Sequence, residues 1–284
     1  MSRTENLVTA EWLINNSKNT DLKICDATYF LVTHNRDAEA EYLAEHISGA
    51  IRFDIDAIKD TSYDLPHMLP TQQQFEDHMQ KLGLRNNDII VVYDNSPFLS
   101  SARAWWLLRM FGHKDVFVLD GGLKKFKAIG GKLETGTADN LPKSDYKASN
   151  PIDTNVILFK DLQSEIESQT PRQILDARSL ARFKGIEPEP RAGLRSGHIP
   201  GSCNLPITSF LNIETGKIVS NAEILNILAN AGVELDKPII TTCGSGVTAT
   251  GLALALSLVG VRDVYVYDGS WAEWGSSSAP IETD

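Results

Sequence analysis

Apolar residues along the chain fall into short continuous runs that alternate with stretches of helical periodicity. In the first half the runs are Lys23-Ile24-Cys25-Asp26-Ala27, Asp88-Ile89-Ile90-Val91-Val92-Tyr93-Asp94 and Val116-Phe117-Val118-Leu119. In the second half they are Gln173-Ile174-Leu175-Asp176-Ala177, Pro238-Ile239-Ile240-Thr241-Thr242 and Val264-Tyr265-Val266-Tyr267. Each reads as a buried strand, and the periodicity between them predicts helices over residues 71–82, 101–111, 221–231 and 247–258. Strands that are apolar throughout are covered on both faces, and their alternation with helices implies parallel pairing. The predicted class is α/β, with parallel sheets carrying helices on both faces.

The pattern is written twice. Ile24-Cys25-Asp26-Ala27 recurs as Ile174-Leu175-Asp176-Ala177. His46-Ile47-Ser48-Gly49 with Phe53-Asp54-Ile55 recurs as His198-Ile199-Pro200-Gly201 with Asn204-Leu205-Pro206-Ile207. Leu119-Asp120-Gly121-Gly122 recurs as Tyr267-Asp268-Gly269-Ser270. Markers that keep their order at an offset of about 150 residues indicate a duplicated unit. Residues 130–153 are rich in Gly, Pro, Ser, Asn, Lys and Asp without periodicity and read as the linker. Two tandem domains follow, 1–145 and 146–284, each large enough for its own core.

Composition narrows the function classes. The formal net charge of -10 gives no general support to nucleic-acid or anionic-membrane binding. An anionic small substrate then requires a local basic pocket. Three cysteines, Cys25, Cys203 and Cys243, include no C-x-x-C pair and no Cys/His cluster at zinc spacing, so no such metal site is expected. Reduced thiols in a cytoplasmic compartment fit that usage. The start, MSRTENLVTAEWL, has no apolar segment after a basic one and so no apparent secretory signal. The most apolar run, residues 250–260, is shorter than the roughly 20 residues that span a bilayer and reads as a buried helix.

The candidate chemistry lies after the third strand of the second half. Ligands of open parallel sheets bind beyond the carboxyl ends of the strands. Here that end opens with Cys243-Gly244-Ser245-Gly246-Val247-Thr248. Gly244 and Gly246 allow a tight turn that directs successive N–H groups inward, and the following helix adds the positive end of its dipole. These features favour an anionic sulfur, the competent nucleophile. Three other readings compete. A free thiol is commonly a buried structural residue. Gly244-Ser245-Gly246-Val247-Thr248-Ala249 also satisfies a dinucleotide fingerprint with Asp268 at suitable spacing, although too little chain follows Asp268 to complete that unit. A cysteine phosphatase needs an arginine at the end of the loop, where Ala249 and Thr250 stand. The repeat aligns Asp94 with Cys243, and its loop, Asn95-Ser96-Pro97-Phe98-Leu99-Ser100, lacks both glycines. One half carries the nucleophile and the other does not.

The chain resembles the two-domain rhodanese superfamily, in the branch that uses a mercapto keto-acid. The resemblance rests on Cys243-Gly244-Ser245-Gly246-Val247-Thr248-Ala249 and on Arg182-Phe183-Lys184-Gly185 followed by Glu187-Pro188-Glu189-Pro190-Arg191. Gly197-His198-Ile199-Pro200-Gly201 and His67-Met68-Leu69-Pro70 extend it over nearly the whole chain. It implies two rhodanese-like domains and a sulfurtransferase that carries sulfur as a persulfide on Cys243, chemistry that requires no metal or organic cofactor. The implied donor is 3-mercaptopyruvate, because the thiosulfate-using members have basic residues where Gly244 and Ser245 stand. Arg182 and Arg191 are then the substrate's carboxylate and keto-oxygen ligands, assisted by the backbone of Gly244, Gly246, Val247 and Thr248. The competing reading pairs those arginines with Glu187 and Glu189 at the surface. Asp56 and His67 match positions that work with Ser245 as a proton relay, against the reading that His67 anchors a loop between Pro66 and Pro70. The implied acceptor is a thiol such as thioredoxin. A thiosulfate:cyanide sulfurtransferase and a non-catalytic sulfur carrier are the alternatives. His198 is expected to tie a turn together, and Trp105 and Trp106 to belong to the core.

Overall fold

In a computed structural model the described residues are 5–137, 142–149, 155–168 and 172–283. They form two compact units: 1–60, 69–152 and 212–218 make the first, and 61–68, 153–211 and 219–284 the second. Each unit therefore incorporates a short segment from the other repeat. The segment 61–68 brings His67 into the second unit, which sequence periodicity gave no means of foreseeing.

The first unit runs β1 (Leu7–Val8), α1 (Ala10–Asn16), β2 (Leu22–Asp26), α2 (Ala38–Ala44), β3 (His46–Ile47) and β4 (Ala50–Arg52). It continues with α3 (Gln72–Lys81), β5 (Ile89–Tyr93), α4 (Ser101–Met110), β6 (Val116–Leu119), α5 (Gly122–Ala128) and β7 (Leu133–Glu134). The second unit runs β8 (Val156–Ile157), α6 (Phe159–Ile166), β9 (Gln173–Asp176), α7 (Leu180–Phe183) and β10 (Ser202–Asn204). After it come α8 (Asn221–Asn230), β11 (Ile239–Thr242), α9 (Val247–Leu258), β12 (Val264–Tyr267) and α10 (Ser270–Trp274).

The sheet orders, β4-β2-β5-β6-β1 and β10-β9-β11-β12-β8, are the same order with corresponding strands. Every pairing in both sheets is parallel, as expected for strands without in/out alternation. The edge strands β1 and β8 are two residues each and too short to register in the hydrophobic pattern. Central strands are buried: Ile90, Val91, Val92 and Tyr93 in one sheet, Ile239 and Ile240 in the other, are inaccessible to solvent. The helices beginning at Gln72 and Asn221 both open with a reciprocal capping box, Thr71/Gln74 and Ser220/Glu223. Trp105 and Trp106 are core residues of α4, and α9 is buried along nearly its whole length, both as expected.

The expected linker behaves differently over its described part. Leu133 and Glu134 pair antiparallel with His46 and Ile47, and residues 142–149 are held along α3. Gln80 Nε2 donates to Tyr146 O at 3.0 Å, Gln72 Nε2 to Ala148 O at 2.7 Å, and Ala148 N to Glu76 Oε1 at 3.0 Å. Tyr146 is fully buried, edge-on to Phe75 and stacked on His113. Absence of periodicity marks absence of helix or strand, and an extended segment can still bury its side chains. Residues 138–141 and 150–153 of that stretch lie outside the described residues. Replacing Tyr146 by alanine should destabilise the protein by about 3 kcal/mol, the usual cost of emptying a buried aromatic site. Urea unfolding measures this, and a loss within about 0.5 kcal/mol, typical of surface substitutions, would show that the segment is not part of the core.

Candidate active site

At the carboxyl end of β11 the chain leaves the sheet at Cys243 and enters α9 at Val247. Gly246 stands between them as the helix cap with φ +79°, a left-handed conformation that glycine adopts without steric penalty. Cys243 is 2% exposed. The loop carbonyls are tied down from α10: Trp271 N–H donates to Cys243 O and Ala272 N–H to Gly244 O, each at 2.9 Å. The N–H groups of Cys243 and Gly246 both donate to Ser270 Oγ, at 3.2 and 3.1 Å. The N–H groups of Gly244, Ser245, Val247 and Thr248 have no protein acceptor among the described residues. A loop whose carbonyls are engaged and whose N–H groups are available presents positive potential. The dipole of the twelve-residue α9 adds to it.

Arg182 lies over this loop. A Cβ built on Gly244 would come within 2.8 Å of Arg182 Nη2, so glycine is what lets the guanidinium approach the backbone. The charge is held by Glu189, which binds Nη2 and, at 3.4 Å, Nε, leaving Nη1 without an acceptor among the described residues. Glu189 is in turn held by Arg178 Nη1 at 2.7 Å. Arg178 grips Asp176 through Nε and Nη2, donates to Gly197 O, and lies 4.2 Å from the Trp271 ring centre. Its side chain is wholly buried. Burial works against its charge, but Asp176 and Glu189 outweigh that and raise its pKa above the ordinary arginine value. Both arginines are thus tied to buried or partly buried carboxylates, and Glu189, not Glu187, is the partner.

His67 meets the loop directly. Its Nδ1 is 3.1 Å from both Ser245 O and Ser245 Oγ, with His67 2% and Ser245 5% exposed. A carbonyl only accepts, so the contact to Ser245 O needs Nδ1–H. Taking a proton from Ser245 Oγ needs the other tautomer, with Nδ1 bare. The pair is therefore poised between two proton arrangements. Arg191 is half-buried in the loop after α7. Asp56 belongs to the first unit, where it is exposed and lines a pocket of about 350 Å³ with Tyr29, Arg36, Arg52 and Asp54. His198 fills the expected turn role, stacked on Phe183 with Nδ1 2.9 Å from Phe183 O.

The first unit lacks this chemistry. Asp94, at the position of Cys243, accepts from Ser96 N, Ser96 Oγ and Ser101 N and is buried within its own turn. Burial raises its pKa and those bonds oppose the rise. Arg103, in the following helix, is 1% exposed and lies over Trp106. Sequence reading missed Arg178 and Ser270 as site residues. The signal was available in the repeat, where they replace Thr28 and Gly122.

The remaining cysteines lie within strands, away from this loop. Cys25 is fully buried in β2, and burial, with Asp88 and Asp26 adding to it, pushes its pKa up to about 12. Cys203 is half-buried in β10 and also raised by burial. Iodoacetamide at pH 8 should leave Cys25 unmodified until the protein is denatured, and peptide mapping that finds it labelled in the native protein would contradict its burial. Glu189→Gln leaves Arg178 and Arg182 sharing an uncharged amide. Its unfolding free energy should fall by about 3 kcal/mol, the cost of stranding a buried charge, and a loss below that of an exposed pair, about 1 kcal/mol, would rule this out.

The Rhodanese-like domain profile matches residues 9–129 and 158–277, once in each half. The 3-mercaptopyruvate sulfurtransferase of Escherichia coli K12 is 40% identical over 278 residues, covering 97% of this chain and 97% of that protein. The mitochondrial thiosulfate/3-mercaptopyruvate sulfurtransferase 1 of Arabidopsis thaliana is 38% identical over 303 residues, covering 100% of this chain and 79% of that one. The crystal structure of SseA from Escherichia coli, described as a 3-mercaptopyruvate sulfotransferase with the rhodanese fold, superposes with a TM-score of 0.85 at 38% identity, covering 94% and 99% of the two chains. With the profile matched twice and near-complete coverage of such relatives, the chain belongs to the rhodanese family in its two-domain form.

Proposed function

We propose that the protein is a sulfurtransferase that takes sulfur from 3-mercaptopyruvate onto Cys243 and passes it to a thiol acceptor such as thioredoxin, or to cyanide. The observation that carries the reading is a cysteine at the head of a loop with four uncommitted N–H groups and a guanidinium against Gly244. That arrangement suits an anionic sulfur and an anionic donor together. The full-length relatives named for this activity support the same donor.

In the first half-reaction the Cys243 thiolate attacks the donor's sulfur and an S–S bond forms. The C–S bond breaks with its electron pair going to carbon, and the pyruvate enolate so formed takes up the proton lost from the donor's S–H group. The products are pyruvate and a deprotonated Cys243 persulfide. The acceptor then attacks the outer sulfur and regenerates the thiolate. The loop N–H groups of Gly244, Val247 and Thr248 are assigned to the anion, while the Gly246 N–H, expected to join them, is given to Ser270 Oγ and Gly246 serves the turn. Arg182, through Nη1, and Arg191 are assigned to the donor's carboxylate and keto oxygen. Ser245 and His67 carry the proton between sulfur and carbon, and the 3.1 Å contact at Ser245 Oγ supports that route. Asp56 is assigned to the same relay on resemblance alone. The first domain, residues 1–145, carries no nucleophile, and the second, 146–284, carries the reaction. Three free thiols support a reducing, cytoplasmic setting, although relatives include a mitochondrial protein and no helix among the described residues is long and apolar enough to cross a membrane.

Thiosulfate is a second donor reading, because the Arabidopsis relatives are named for both donors. Comparing kcat/KM for the two donors decides between them, and mercaptopyruvate should be preferred. Cys243→Ser should abolish turnover with either. Arg191→Ala should raise KM for mercaptopyruvate by about ten-fold or more, as expected for loss of a charge-assisted bond. An active Cys243→Ser protein would end the persulfide reading, and an unchanged KM would end the carboxylate role of Arg191.

A further inference from the structure

The turn that follows the fourth main strand occurs twice, with Gly122 in one copy where Ser270 stands in the other, and with the preceding glycine left-handed at Gly121 (φ +86°) and right-handed at Gly269 (φ -63°). After β6 the chain passes through Asp120-Gly121-Gly122 into α5, and after β12 through Asp268-Gly269-Ser270 into α10. Gly122 has φ +52° and Ser270 φ +50°, in the left-handed region that favours glycine. The residue after each makes the same bond: Leu123 N–H donates to Asp94 O at 3.0 Å, and Trp271 N–H to Cys243 O at 2.9 Å. The left-handed third position and the bond that follows it thus form with glycine in the first unit, where that conformation carries less strain. Something other than the turn accounts for a serine beside the cysteine.

The Ser270 hydroxyl is completely engaged. Its proton has Tyr267 O at 2.8 Å as the nearer acceptor and Cys243 Sγ at 3.9 Å as the farther one, and its oxygen accepts from Cys243 N–H and Gly246 N–H. A hydroxyl has one proton to give and two lone pairs, so all three are used. Ser270 is wholly buried and its Oγ lies 3.9 Å from Cys243 Sγ. The two N–H groups it takes are those at the start of the loop and at its left-handed turn. The other four remain available.

We infer that Ser270 is a positioning residue for sulfur transfer: by drawing the N–H groups of Cys243 and Gly246 onto one oxygen, it fixes the loop so that the other N–H groups face the sulfur. This rests on the reading of Cys243 as the sulfur carrier. Ser270 acts chiefly through the two backbone N–H groups it holds, and its Oγ also lies at the long end of hydrogen-bond reach of Cys243 Sγ, 3.9 Å. A device of this kind is absent from the first unit because Asp94 there carries no sulfur to stabilise.

The test compares wild type with Ser270→Gly and Ser270→Ala, using 3-mercaptopyruvate as donor and cyanide as acceptor. Removing a preorganised anion donor outright costs two to three orders of magnitude, so loosening several should lower kcat by about ten-fold or more while KM stays within about two-fold. The Tm of Ser270→Gly should fall less than that of Ser270→Ala, because both lose the same hydroxyl and only glycine relieves the left-handed strain. A donor-free measurement, the rate at which iodoacetamide alkylates Cys243 by mass spectrometry, should fall by about five-fold as the sulfur anion loses support. Values of kcat and alkylation rate within about two-fold of wild type in both variants would overturn the inference. Loss of cooperative unfolding in both would also overturn it, since Ser270 would then serve the fold. If wild type fails to turn over mercaptopyruvate, the proposed function fails, and the alkylation rates still decide the role of Ser270.

Discussion

The second unit is organised around Arg178, a wholly buried charge that four pieces of chain must answer. Asp176 at the end of β9, Glu189 in the loop after α7, the Gly197 carbonyl and the Trp271 ring all engage its guanidinium. A buried ion of this kind gains from its partners only while each stays in place, because removing one leaves an uncompensated charge in low dielectric. The arrangement therefore specifies geometry more than it adds stability. It holds Glu189, Glu189 holds Arg182, and Arg182 is held against Gly244. Thr28, the residue aligned with Arg178 in the first unit, supports no such chain.

The cysteine loop answers the opposite charge. Carbonyl oxygens around a nearly buried anionic sulfur would destabilise it, and the loop removes them from play by bonding them to α10. Ser270 occupies two of the N–H groups, and four are left. Duplication makes these assignments readable, since the first unit has the same strand order and the same bond after its fourth main strand, Leu123 N–H to Asp94 O, with an aspartate in the cysteine's place. What the two sheets share belongs to the fold. What differs, Arg178, Cys243 with its glycines, and Ser270, gathers at the carboxyl ends of three neighbouring strands, β9, β11 and β12.

Much of this was legible in the amino-acid sequence. Continuous apolar runs such as Ile89-Ile90-Val91-Val92 dictate strands covered on both faces, and the spacing of helical stretches dictates parallel pairing, because both follow from local periodicity. The repeat, the lone cysteine at a strand end and the glycines after it are likewise local. Partnerships over long sequence distances were not legible in periodicity or spacing, and the pairing of His67 with Ser245 was expected from the resemblance alone. His67 reaches Ser245 because residues 61–68 pack with the second unit, Glu189 is chosen over Glu187 by the position of Arg178, and residues 142–149 bury Tyr146 without any periodic signal. Each depends on where the backbone goes after the strands have paired. The sequence by itself determined the class of fold, its duplication and the nucleophile; the tertiary structure alone decided which charges and N–H groups surround that nucleophile, since those contacts are set by three-dimensional packing and by the cost of leaving a buried charge unanswered.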